Sequence, residues 1–232
     1  MANRSTEPGL DPSDRQFWLE AARSSDAVLR GQAADNLAGE SDAKALKALE
    51  MLLGDGDRVV RFKAALAFAQ VGDDRGLEAI LWALERPELC ALALDVLIEL
   101  RSERARGAIM KFFRRLRLHP LERLLAAAAL HGIGEAQGTE FVLGSLSSRR
   151  PEVRGMAIEL LGRLALPGAL ERLLEVLSQP NHPHSLDAVR GLAWLRDKRS
   201  LPLLRRLSRE SSDAELAELC SWALSVIEEA LA

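Results

Sequence analysis

The side chains best suited to chemistry are few in this chain of 232 residues: four histidines, His119, His131, His182 and His184, and two cysteines, Cys90 and Cys220. A metal centre needs three or four converging ligands. Only His182-Pro183-His184 brings two donors together, with no third nearby, and the segment reads as a loop at a helix start. There is no Gly-x-Ser-x-Gly turn, no glycine-rich phosphate loop and no Cys-x-x-Cys pair, so a nucleophile has no visible setting. Cys90 and Cys220 fall far apart in apolar helical patterns, as buried, reduced thiols of a cytoplasmic protein would. No catalytic residue, metal or cofactor is expected.

Charge is the more informative signal. Residues 1–100 carry a net charge of -7, residues 101–209 one of +10 and residues 210–232 one of -6, inside a total of -3. Such asymmetry bears on partners and steering rather than on fold. From Arg101 to Arg123 there are eight basic residues against two acidic ones. Ile109, Phe112, Phe113 and Leu116 are spaced to make a core face there, leaving Arg114, Arg115 and Arg117 near a turn. Of the tryptophans, Trp18 and Trp222 read as core, whereas Trp82 and Trp194 are candidates for an exposed contact surface. The most apolar stretch, Leu124 to Leu130, is far shorter than the ~20 residues that span a bilayer. Residues 1–14 do not resemble a signal peptide.

The elements that position these residues follow from a repeat. Arg30, Arg61, Cys90, Arg123, Arg154, Ser185 and Leu216 are separated by 31, 29, 33, 31, 31 and 31 residues. Three residues after the first six anchors comes alanine: Ala33, Ala64, Ala93, Ala126, Ala157 and Ala188. Four further on stand Leu37, Phe68, Leu97, Leu130, Leu161 and Leu192, and three beyond those, from the second repeat onward, Val71, Leu100, Ile133, Leu164, Leu195 and, in the last, Val226. Steps of three and four set one stripe along one helix face. A second stripe, such as Leu46, Leu49 and Leu53, gives each unit two helices. Four residues before the anchors, Asp26, Asp57, Asn181 and Ser212 are suited to cap a helix. Arg86, His119 and Arg150 take that site in the middle units, each followed by a proline that fits a first helical turn.

Asp57-Arg58-Val59-Val60-Arg61 followed by Ala64-Ala65, and Asp26 to Arg30 followed by Ala33-Ala34, resemble the Asp-x-x-Val-Arg-x-x-Ala core of HEAT repeats. The short period is similar to that of the bacterial HEAT-like subgroup named after phycobilisome lyase subunits. The resemblance implies an all-α, right-handed α-solenoid of about seven helix pairs in a single continuous domain. Residues 1–11 would be a flexible tail and residues 12–232 the solenoid, with 12–40 an N-terminal capping repeat and 210–232 a C-terminal capping helix. Some HEAT-like hydroxylases carry repeated His-Glu dipeptides as iron ligands, and no such dipeptide occurs here. Lyase-type handling of a linear tetrapyrrole is also implied by the subgroup, and no single residue speaks for it.

Two surfaces emerge as expectations. A basic edge at the turns would comprise Arg86, Arg114, Arg115, Arg117, His119, Arg149 and Arg150, fit for a partner with an acidic surface. The inner helices, which line the concave face of a HEAT stack, would present Phe62, Leu66, Asp95, Glu99, Glu159, Arg163, Arg190 and Trp194. This strip mixes apolar, acidic and basic groups, which suits a protein better than nucleic acid. The sequence thus predicts a non-catalytic, cytoplasmic, bacterial adaptor or scaffold that binds a protein; nucleic-acid binding by the basic centre, with or without glycosylase-like base chemistry, is the other reading.

Overall fold

A computed structural model describes residues 15–40 and 42–231; the expected tail at residues 1–11 lies outside them. The described residues form fourteen α-helices and two short 3-10 turns, and no strand. The first helix is α1 (Arg15–Ala21). The helices begin where the capping chemistry says they should. The Asp26 carboxylate accepts from the Val28 amide at the start of α2 (Ala27–Leu37), Asp42 caps α3 (Ala43–Leu53), and Asp57 takes the Val59 and Val60 amides at the start of α4 (Arg58–Ala69). After α5 (Leu77–Leu84), a proline opens the first turn of α6 (Pro87–Leu100), α8 (Pro120–Gly132) and α10 (Pro151–Arg163), behind Arg86, His119 and Arg150. Two caps differ from expectation. Asn181 adopts a left-handed φ of 56° in a turn, and α12 (Ser185–Leu195) starts behind His184. At α14 (Ala214–Leu231) the amides of Glu215 and Leu216 bond to Asp213, not to Ser212.

The chain packs as two compact units, Met1–Ala108 and Ile109–Ala232. In the first, α2, α4 and α6 stack in one row, with α1 and α3 packed beside it. In the second, which opens within α7 (Arg106–Phe113), α8, α10, α12 and α14 stack in succession; α9 (Ala136–Ser145), α11 (Ala169–Ser178) and α13 (Leu201–Glu210) pack alongside. The all-α repeat of paired helices is therefore the one the columns predicted. All six alanines of the first column are fully buried, and so are Leu37, Phe68, Leu97, Leu130, Leu161 and Leu192. A methyl at each crossing lets neighbouring axes approach toward the short end of the ~8–10 Å range.

The anchor arginines tie each turn to the helix that follows. Arg30 forms a forked pair with Asp55 at 2.6 and 2.8 Å and donates to the carbonyls of Ser24 and Ser25. Arg61 donates to the carbonyls of Asp55 and Gly56, Arg123 to that of Arg115, and Arg154 to that of Ser148. Each guanidinium thereby satisfies loop carbonyls that no helix ladder reaches.

Three expected core residues are exposed. Val71 lies beyond the end of α4, so its helical spacing no longer faces the core. Leu116 is 97% exposed, because α7 ends at Phe113 and the chain turns before the next apolar site. Trp222 is half exposed on α14, the last helix of its row.

Candidate active site

In the second unit the backbones of α10 and α12 come together at Gly162 and Gly191. A Cβ placed on Gly162 would sit 1.8 Å from the Gly191 carbonyl oxygen and 2.4 Å from its carbon, so backbone meets backbone there. Only glycine at this crossing allows that approach. The contact draws together Glu159, one turn before Gly162, and Arg163, next to it, on α10, and Arg190, next to Gly191, and Trp194, one turn after it, on α12. The Arg163 guanidinium lies 4.9 Å from the centroid of the Trp194 ring, and Trp194 keeps 43% of its surface exposed. Glu159, half-buried, accepts a hydrogen bond from Trp194. Burial pushes its carboxyl above the usual range, as does the Asp187 charge, while Arg190, Arg163 and the Trp194 bond pull against that rise. Desolvation is the largest of these effects, so the net shift is upward.

Beside this cluster is a relay of polar groups that fixes Arg190. Its Nη1 donates to Asp187 Oδ1 at 3.3 Å, and Asp187 Oδ2 lies 3.0 Å from Nδ1 of the buried His184. Arg154 Nε donates to His184 Nε2 at 2.9 Å. A guanidinium has no acceptor, so Nε2 carries the lone pair and Nδ1 the proton given to Asp187. The relay needs a second glycine: a Cβ on Gly155 would stand 2.4 Å from Asp187 Oδ2 and 3.1 Å from His184 Nδ1. His182, whose ring centroid is 5.7 Å from that of His184, is held more weakly basic than usual, by burial first and then by its neighbours His184 and Arg154. The cluster offers a carboxyl whose burial raises it above the ordinary carboxylate range, two cations to hold an anion and a flat indole face.

The remaining expected surface residues divide between the units. Phe62 is 2% exposed and belongs to the core, which corrects its assignment to the concave strip; α4 turns that position inward. Leu66, Asp95 and Glu99 line a shallow pocket of the first unit with Leu92. On the expected basic edge, Arg86 is engaged within the first unit, stacked 3.7 Å from the Trp82 ring centroid and donating to the Trp82 carbonyl at 2.6 Å. In the second unit Arg115 lies over Phe112, and the His119 ring accepts from the Leu121 amide. Arg114, Arg117, Arg149 and Arg150 are exposed. Sequence reasoning missed Arg154, His184 and Asp187 as a group; the signal that could have found them is that Arg154 and His184 stand 30 residues apart, about one repeat.

Among the described residues no three His, Cys, Asp or Glu side chains are grouped to hold a metal ion, and no helix is long and apolar enough to cross a membrane. The sequence profile of HEAT repeats matches residues 15–89, 110–184 and 139–225. The chain is 26% identical over 247 aligned positions to deoxyhypusine hydroxylase-B of Oryza sativa subsp. japonica, covering 92% of this chain and 82% of that protein. Among solved structures it is similar to the complex of CpcE and CpcF of phycocyanin lyase from Nostoc sp. PCC7120, with a TM-score of 0.58, 20% identity, and 97% and 98% of the two chains covered. Human deoxyhypusine hydroxylase in complex with glycerol matches at a TM-score of 0.40, 19% identity, and 94% and 86% coverage.

A relative that is an enzyme, aligned along nearly the whole chain, overturns the expectation of a non-catalytic adaptor and with it the nucleic-acid reading. The error has a physical origin. Motif searches look for residues close in sequence, whereas a stacked-helix protein assembles its sites from residues one repeat apart.

Proposed function

We propose that this chain, which belongs to the HEAT-repeat family, is an enzyme acting on a flat, anionic substrate group at the α10–α12 cleft, with Glu159 as the residue that gives and takes the proton. The observation that carries this reading is Glu159 itself: a carboxyl raised by burial, bonded to an exposed tryptophan and flanked by Arg163 and Arg190. An acid–base group works best when its pKa is near the working pH. Burial moves Glu159 in that direction. Arg163 and Arg190 would hold the substrate's carboxylate, and Trp194 would stack on its conjugated part.

Two chemistries come with the relatives' names, hydroxylase and lyase. The donor set does not fit the iron that HEAT-like hydroxylases hold on His-Glu dipeptides: none of His119, His131, His182 and His184 precedes a glutamate. No metal-ligand group occurs among the described residues, and no step through iron is derived. Lyase chemistry asks for what the cleft supplies. In the addition direction a nucleophile bonds to one carbon of a substrate double bond while protonated Glu159 delivers its proton to the other. In the elimination direction the Glu159 carboxylate removes that proton as the bond to the nucleophile breaks. A partner protein that presents or receives the group, and a bacterial cytoplasmic setting, complete the reading; the buried free thiols of Cys90 and Cys220 support the reduced compartment.

Biliverdin, a conjugated tetrapyrrole with two carboxylates, is a suitable probe. Titration should quench tryptophan fluorescence saturably, with the quenching largely lost in Trp194→Phe and affinity falling about tenfold in Arg190→Ala, the ~1.4 kcal/mol of one charge-assisted contact. Absence of binding, or binding indifferent to both substitutions, would refute the site.

A further inference from the structure

The second unit carries another concavity, away from the residues of the α10–α12 cleft. It has a volume of about 800 Å³ and is lined by Phe113, Phe141, Leu118, Pro120 and Val153, with Arg150 and Glu140 among its polar members. Phe113 and Phe141 meet edge to face, ring centroids 5.2 Å apart at 87°, and both remain half-exposed. The segments that form its wall are basic. Arg114, Arg115 and Arg117 precede Leu118, and Arg149 and Arg150 follow Ser148, another lining residue. Arg123, also in the wall, is held by the Arg115 carbonyl. Leu116 stands almost wholly in solvent amid these arginines. No salt bridge pairs Arg114, Arg117, Arg149 or Arg150 with a carboxylate among the described residues. Soluble proteins rarely leave an aromatic hollow and uncompensated charge side by side without use for them.

We propose that this groove docks an acidic segment of a partner protein, with one aromatic side chain seated against Phe113 and Phe141 and flanking carboxylates on Arg117, Arg149 and Arg150. The charge chooses the sign of the partner and the aromatic pair chooses its anchor. The groove is separate from Glu159, so docking stands or falls independently of the reaction. Gly144 supplies a clean block. It lines the groove, sits within α9 and has nothing within 4 Å of a Cβ placed on it. Gly144→Trp therefore adds bulk at the groove wall from a position where the first added carbon meets nothing.

The test is fluorescence anisotropy with a short fluorescein-labelled peptide of Asp and Glu around one Phe, and a twin carrying Ala for that Phe. Binding to the wild type should weaken steeply with salt. It should fall about tenfold for the Ala peptide and for Arg149→Glu/Arg150→Glu, and disappear in Gly144→Trp, whose circular dichroism matches the wild type. No binding of the Phe peptide at low salt would overturn the proposal. So would equal binding of the two peptides, unchanged binding by Gly144→Trp, or equally tight binding of single-stranded DNA or anionic vesicles through the same residues.

Discussion

Gly162→Ala tests the helix contact on which the cleft depends. The added methyl would lie 1.8 Å from the Gly191 carbonyl oxygen, 2.4 Å from its carbon and 2.8 Å from its Cα. None of these is a side chain that can rotate away. Restoring ordinary van der Waals separation, ~3.5 Å, moves α10 and α12 apart by about 1.5 Å locally. Overpacking of this kind costs about 1–3 kcal/mol, and a rigid backbone neighbour places the cost at the upper end. Alanine in place of glycine inside a helix returns about 1 kcal/mol. The net expectation is a destabilisation of about 1–2 kcal/mol, read as a lower urea midpoint by far-ultraviolet circular dichroism. Gly144→Ala is the matched control: the same exchange near a helix end with open space around it, expected to be neutral or stabilising by up to about 1 kcal/mol. Separation of the helices should also loosen the Glu159–Trp194 hydrogen bond and move Trp194 emission to the red. If Gly162→Ala is as stable as Gly144→Ala, with unchanged Trp194 emission, the close contact does not hold the cleft together.

Glu159→Gln should trade function for stability. A carboxyl whose folded pKa is raised above the unfolded value contributes stability below its ordinary 4.5 that is lost as pH rises through the raised value; the variant should therefore gain stability relative to the wild type as pH goes from acid to neutral, measured by urea midpoints across that range. Asp55→Asn should show the opposite trend. Asp55 is held below its ordinary 3.8, first by the Arg30 hydrogen bond, so its contribution is present above 3.8 and lost as pH falls through the lowered value; the deficit of the variant should shrink in acid. Cys220, pushed up to about 11 by burial, and the buried Cys90 should resist Ellman's reagent in the folded protein and react in full on unfolding. Fast labelling of either thiol in the native state would contradict their burial.

The fold was legible because its determinants recur. The alanine column at Ala33, Ala64 and their successors, and the caps at Asp26 and Asp57, act locally and repeat, so period and chemistry reinforce one another. Legibility failed where repetition ends. Leu116 follows the last turn of α7, Trp222 is on the last helix of its row, and Val71 lies past the end of α4; periodicity alone cannot register the loss of a neighbour. Of the cleft, the strip of Glu159, Arg163, Arg190 and Trp194 was already visible as an inner-face set. Its chemistry was not, because the raised pKa of Glu159 arises from burial between two helices, and that burial depends on Gly162 and Gly191, which in sequence are merely weak helix formers. The relay from Arg154 through His184 to Asp187 was hidden for a related reason. His184 reads beside His182 as half of a poor metal motif, while its actual partners sit three residues on and one repeat back.

The central claim is that Glu159 is a proton-exchanging carboxyl in a site built for an anion, and its most direct measure is the titration of the Glu159 carboxyl carbon by nuclear magnetic resonance with and without bound biliverdin. The account predicts a midpoint above the ordinary 4.5 in the free protein and a further rise when a substrate carboxylate is held beside it. A midpoint at or below that value, unmoved by the ligand, would contradict it.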